Sequence, residues 1–238
     1  MRTTTDRFHT SRFTAVAGIC AAIAGAIFIG VQVGHPPADL AHLVTTEMTV
    51  RETAKAAMSL LAITGLTGML LRHRGRIGVF GRIGYGLVTL GYAAMFAVQV
   101  LVGFVLPGKV DTDPAYVQDV LDAAMGETAK GDIGGLPVLF GVAGLSFSIG
   151  GLLFGIALFR AGVLSRWASA LFAYGTVSAL ALAVLPQSFS RPFAVPTGVA
   201  LIGLGVSMWR DQRRHAQGVE AAVEAVAAPV GAVAPATR

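Results

Sequence analysis

The chain is poor in charge and almost without cysteine. Only 13% of its 238 residues are Asp, Glu, Lys or Arg, where a soluble domain carries about 25%. The single Cys20 excludes a disulfide framework and any cysteine-based metal site. No acidic or basic side chain stands in the middle of its long apolar runs. That absence removes the buried carboxylates of proton-coupled pumps. It also removes a retinal-type lysine, and the spans carry no histidine pairs for axial haem ligation.

What is present is apolar length. Hydrophobic residues make up 54% of the chain, and the mean hydropathy is +0.69. A membrane-crossing helix needs about 20 apolar residues. Six runs meet this: Phe13–Val33, Ala54–Leu71, Ile83–Leu106, Leu136–Phe159, Leu164–Leu185 and Pro192–Trp209. The first is too long for a signal-peptide core, and Gly34-His35-Pro36-Pro37 does not read as a cleavage site, so a retained span is expected. The expected fold is an all-α polytopic membrane bundle of about six helices over residues 13–209. A segment 1–12 precedes it and a mobile tail, 210–238, follows.

Charge sorts between the two sets of connections. One set joins the N-terminus, the loops 71–82 and 160–166, and the tail; it holds thirteen basic and four acidic residues. The other set holds five basic and nine acidic residues. By the positive-inside rule both termini are cytoplasmic, in the cell (plasma) membrane, and the acidic loops face out. The net charge of +5 thus reports orientation and attraction to anionic lipid. The chain has no basic groove interleaved with aromatics, so nucleic acid is not an expected partner.

Two outward connections are longer than linkage requires. In the first, Leu40, Leu43 and Val44 predict a short interfacial helix over Pro37–Thr45. Thr49 and Glu52 then fit a capping box for the second span. In the second, Asp113-Pro114 starts an amphipathic helix with a stripe of Val117, Val120, Leu121 and Ala124, which Gly126 stops. Asp119 and Asp122 fall off that stripe. This helix is either a lid over the bundle mouth or a packed surface helix. Pairs of glycines (Gly18 and Gly25, Gly65 and Gly68, Gly141 and Gly144, Gly151 and Gly155, Gly203 and Gly205) allow helices to approach closely.

The one polar cluster lies at the outer end of the first two spans. His35, Asp39, His42, Glu47 and Glu52 fall within eighteen residues, next to Gln32. A carboxyl held there against apolar side chains can be a neutral acid that protonates an apolar substrate. Each residue also has a plainer role. Glu52 is a cap or an ion-pair partner of Arg51 or Lys55, Asp39 complements a helix dipole, and the histidines are interfacial. Glu47 has the least evident structural duty. The seven-residue histidine spacing is no familiar zinc pattern, and no metal is expected. Aromatic side chains are spread along the spans, and Tyr85, Tyr92 and Phe96 share one helix face. In a cavity such rings stabilise a cation through their quadrupoles.

Over residues 13–209 the size, span count and acid-plus-aromatic content resemble the small integral-membrane terpene cyclases. The likeness is one of architecture, not of an ordered motif. It implies an enzyme that cyclises a hydrophobic, prenylated small molecule by protonation, without metal or cofactor. Glu47 or Asp39 would be the general acid, with Glu52, His35 and His42 beside them. Gln32, Tyr92, Phe96, Phe147 and Tyr174 would line the substrate pocket. Two other readings stand beside it: a small transporter or exporter, and a non-catalytic anchor or assembly protein.

Overall fold

The computed structural model of the chain describes residues 4–178, 180 and 190–227. Among the described residues there is no strand, and all regular structure is helical. The long elements are α1 (Thr4–Gly30), α3 (Thr46–Arg72), α4 (Gly78–Val100), α6 (Leu136–Ala161), α7 (Arg166–Ser178) and α8 (Ser190–Ala227). Two short helices, α2 (Leu40–Leu43) and α5 (Pro114–Ala124), lie in the long connections.

Four helical stretches are long and apolar enough to cross a membrane: Phe13–Gly30, Thr46–Arg72, Gly78–Val105 and Leu136–Ala161. The expected fifth span, Leu164–Leu185, is described only as α7 and Leu180. The expected sixth, Pro192–Trp209, lies inside α8, which continues as helix to Ala227 through much of the expected tail. Residues 228–238 of that tail lie outside the described residues. Large apolar side chains such as Val79, Phe80, Leu90, Leu145 and Ile149 point outward, a surface that suits lipid better than water.

Local chemistry sets the ends. Thr45 caps α3, with its hydroxyl accepting the Met48 N–H at 3.3 Å. The helix therefore starts one turn before the expected Thr49–Glu52 capping box, and both residues sit inside it. Asp113 caps α5 by accepting the Tyr116 N–H at 3.1 Å, with Pro114 in the first turn. Gly126 ends that helix at φ +89°, a conformation other residues reach only with strain. One feature was not expected. α4 runs on into a π-helical turn, Leu101–Val105, in which the Leu106 N–H donates to the Leu101 carbonyl at 3.0 Å.

Each long helix packs mainly on the helices before and after it, and α8 closes back on α1. Glycines make these approaches possible. A Cβ on Gly84 would lie 2.5 Å from the Phe154 nitrogen, and one on Gly91 would lie 2.5 Å from that of Phe147. A Cβ on Gly150 would strike the Val88 nitrogen. These three form the α4–α6 seam. Gly18 and Gly25 meet Gly205 and Gly198 in the α1–α8 seam. Most of the expected glycine pairs serve such contacts. Gly141 and Gly144 are the exception: a side chain at either would meet nothing within 4 Å.

The six helices alternate in direction, so the bundle has two distinct ends. The basic end gathers Arg72, Arg74, Arg76, Arg82, Arg160, Arg166 and Arg210. The acidic end gathers α2, the start of α3, the π turn and α5. The main core, which includes Ala21, Leu66, Tyr92, Phe154, Phe172 and Leu204, fills the bundle. A second core under α5 joins Leu43, Met48, Val102, Leu106, Val117, Val120 and Leu121. Asp119 is buried as well, contrary to its expected place off the stripe, because the following loop folds over it.

Candidate ligand chamber and its polar rim

A cavity of about 390 Å³, open to the outside along the exposed Gly144 and Ala124, lies in the acidic half of the bundle. Five of the six long helices and α5 contribute to its wall. Phe28 comes from the end of α1 and Gln32 from the turn after it, and Met95, Val98 and Gln99 come from α4. Phe140, Ala143, Gly144 and Phe147 come from α6. Gly175, Ala194, Thr197 and the α5 residue Ala124 complete it. The wall is apolar and aromatic, with two carboxamides, Gln32 and Gln99, among its few polar groups. This is the usual constitution of a small-molecule site.

The volume has a cause in the sequence. Ala143 and Gly144 follow each other on α6, and a side chain at Gly144 would enter open space, whereas Gly175 lets α7 pack closely on Thr197 of α8. Phe147 is held by the close passage of Gly91 behind its backbone. Its ring meets that of Tyr92 edge to face, 5.4 Å between centroids. Tyr92 is fully buried, and its hydroxyl has no hydrogen-bond partner.

Of the residues expected to contact a substrate, Gln32 and Phe147 line this chamber and Tyr92 stands directly behind Phe147. Phe96 is not among the lining residues. Tyr174 is 56% exposed on the outside of α7. Gln99, Phe140 and Gly144 also line the chamber, and none of them was expected there. The available signal was Gln99 itself, a carboxamide inside the third apolar run.

The expected acid cluster forms a rim beside the chamber, and it divides into three separate arrangements. Asp39 caps α2: its Oδ1 accepts the His42 N–H at 2.9 Å and the ring Nδ1–H at 2.8 Å. Both side chains are substantially exposed. The backbone bond from His42, followed by the ring bond, holds the Asp39 carboxyl below its ordinary value. That environment favours an anion over a neutral acid.

Glu47 is exposed, and its Oε1 accepts from Arg51 Nε at 3.0 Å and Nη2 at 2.8 Å. The same guanidinium donates to the carbonyls of Val31, Val33 and Gly34 at 3.0–3.1 Å. Glu47 thus orients the arginine that satisfies the carbonyls after the end of α1. It has a structural duty after all.

Glu52 is the buried member, only 2% exposed. Its Oε1 accepts from Lys55 Nζ at 2.6 Å, and Lys55 also donates to His35 Nε2 at 2.8 Å. His35 Nδ1–H donates to the Pro36 carbonyl at 2.8 Å. An ammonium only donates and a carbonyl only accepts, so this chain of bonds sets His35 as the neutral Nδ1–H tautomer. Gly103 of the π turn packs on Glu52, and a Cβ there would lie 2.7 Å from that of Glu52. The second carboxyl oxygen, Oε2, is buried without a partner. Pairing with Lys55 was among the roles expected of Glu52; the π turn against it was not. Among the described residues no group of three or more His, Cys, Asp or Glu is placed to hold a metal ion.

No family model matches the chain, and no curated protein or solved structure shows significant similarity to it.

Proposed function

We propose that the protein is an integral membrane bundle that takes a hydrophobic, isoprenoid-type small molecule into the chamber at its acidic end. In this reading all six long helices span the bilayer, the basic end faces the cytoplasm and the acidic end faces out. The observation that carries the proposal is the chamber itself: an aromatic-walled space with Gln32 and Gln99 available to a single polar end group. The buried Tyr92 hydroxyl, behind Phe147, has no hydrogen-bond partner and is close to that space.

Proton-initiated cyclisation asks for an acid against the ligand. Among the described residues no carboxyl lines the chamber, and Asp39, Glu47 and Glu52 are each bound by a neighbouring side chain. Binding is therefore the conclusion, and chemistry on the bound molecule is read out in the same experiment. Purified protein in nanodiscs is titrated with a tritiated geranylated indole, and the recovered ligand is analysed by mass spectrometry and NMR. Saturable binding is expected. Gly144→Phe, which enters open space, should abolish it without loss of folding. Gln32→Leu with Gln99→Leu should weaken it by roughly tenfold, the scale of one or two net hydrogen bonds. Equal binding by wild type and Gly144→Phe refutes the proposal. A recovered product of unchanged mass with a new ring, absent in Glu52→Gln, would establish cyclisation.

A further inference from the structure

We infer that a groove between α7 and α8 at the basic end binds an anionic phospholipid. The cavity is about 510 Å³ and opens on the outside of the bundle, away from the chamber. Its α8 wall is one helical stripe: Val199, Ile202 and Val206, then Arg210 and Arg214. The steps of three and four residues keep these on a single face. Along that face the wall changes from aliphatic to cationic. An acyl chain followed by a phosphate has the same order of properties.

The opposite wall is Trp167, 59% exposed, at the start of α7. Its ring lies across α8 at Gly203, where a Cβ would come within 2.6 Å of Cη2. An indole at this depth marks the level of lipid headgroups. Asp211 also lines the groove, but its Oδ2 accepts from Arg72 Nε at 2.6 Å. Neither Arg210 nor Arg214 has an ion-pair partner among the described residues. The groove therefore presents two uncompensated guanidiniums, which are suited to bidentate contact with phosphate. Basic pockets between membrane helices take such headgroups.

The test uses the purified full chain in neutral detergent. Phosphatidylglycerol and phosphatidylcholine are titrated in turn, and bound lipid is counted by native mass spectrometry. Phosphatidylglycerol should be retained as a discrete adduct and phosphatidylcholine should not. Arg210→Gln with Arg214→Gln should weaken retention roughly thirtyfold, at the usual contribution per basic residue. Arg74→Gln with Arg76→Gln removes two exposed charges from the same end and should leave it unchanged. Arg210→Lys with Arg214→Lys keeps the charge and should retain most of the binding. Equal retention of the two lipids overturns the inference. So does an equal loss in the two glutamine pairs, which would mean a diffuse basic surface and no groove.

Discussion

Removing Lys55 alone should damage the protein more than removing Lys55 and the charge of Glu52 together. The Glu52 side chain is 3% exposed and that of Lys55 is 18% exposed, with 2.6 Å between the charged atoms. Lys55→Met leaves a buried carboxylate whose other oxygen already lacks a partner. An uncompensated buried charge of this kind costs about 3–5 kcal/mol. Glu52→Gln is milder, because Lys55 keeps His35 and can extend toward solvent. In the double variant no charge is stranded, and the loss should fall to about 1 kcal/mol, leaving a coupling of about 2 kcal/mol or more. For a chain of this size each kcal/mol shifts Tm by about 2–4 °C. Lys55→Met should therefore melt roughly 6–20 °C below wild type in detergent, and the double variant within about 4 °C of it. If the single and double variants melt together, Glu52 is not a buried charge held by Lys55, and the account of the rim is wrong.

Gly150→Val should destabilise by about 1–3 kcal/mol in the same melt, because it pushes α6 off α4. Gly144→Ala should be neutral or slightly stabilising, since its Cβ meets nothing. Asp119 accepts the Lys130 and Gly131 N–H groups at 3.1 and 2.8 Å, and those bonds hold its pKa below the ordinary 3.8. Its contribution is complete above that value and is lost as pH falls through the lowered one. Hydrogen exchange at Gly131 should thus stay slow down to about pH 4, and Asp119→Ala should open the loop to trypsin after Lys130 at neutral pH. Burial, with help from the nearby Arg72, lowers the pKa of His73 from the ordinary 6.5, while a bond from its Nδ1–H to the Met69 carbonyl opposes this. The unfolded chain then binds the extra proton first, so stability should fall as pH drops below about 6.5. His73→Phe should flatten that slope in pH-dependent melts.

The all-α fold, four of the six expected apolar spans, the alternating directions and the two short helices over the acidic end were legible in the sequence. They follow from apolar run length, short loops and turn residues, all of which act locally. Asp113, Pro114 and Gly126 bounded α5 correctly for the same reason. The start of α3 was misplaced because Thr45 and Thr49 offer the same capping chemistry, and only the upstream turn through His42 selects the first. The chamber was less legible, because it is a gap left by five packed helices. Gly144 reads as one more packing glycine until its neighbours are placed. The π turn was hidden for a similar reason. Gly103 looks like any span glycine, and only the side chain of Glu52 against it explains why α4 widens there. The acid cluster was found as a set of residues but not as three separate arrangements, since ion-pair partners depend on which neighbour a side chain reaches.

The glycine seam between α1 and α8 joins two helices far apart in the sequence. Gly18 waits for Gly205 while the residues between them are synthesised. At about 5–20 residues per second that interval is roughly ten to forty seconds. During it, the flat glycine face of α1 is available to any small-residue helix nearby, including α1 of another nascent copy. The long sequence separation also makes this contact the slowest to gain by search. The α1–α8 contact therefore acts as a clasp, and a chain halted before α8 leaves the glycine face of α1 uncovered.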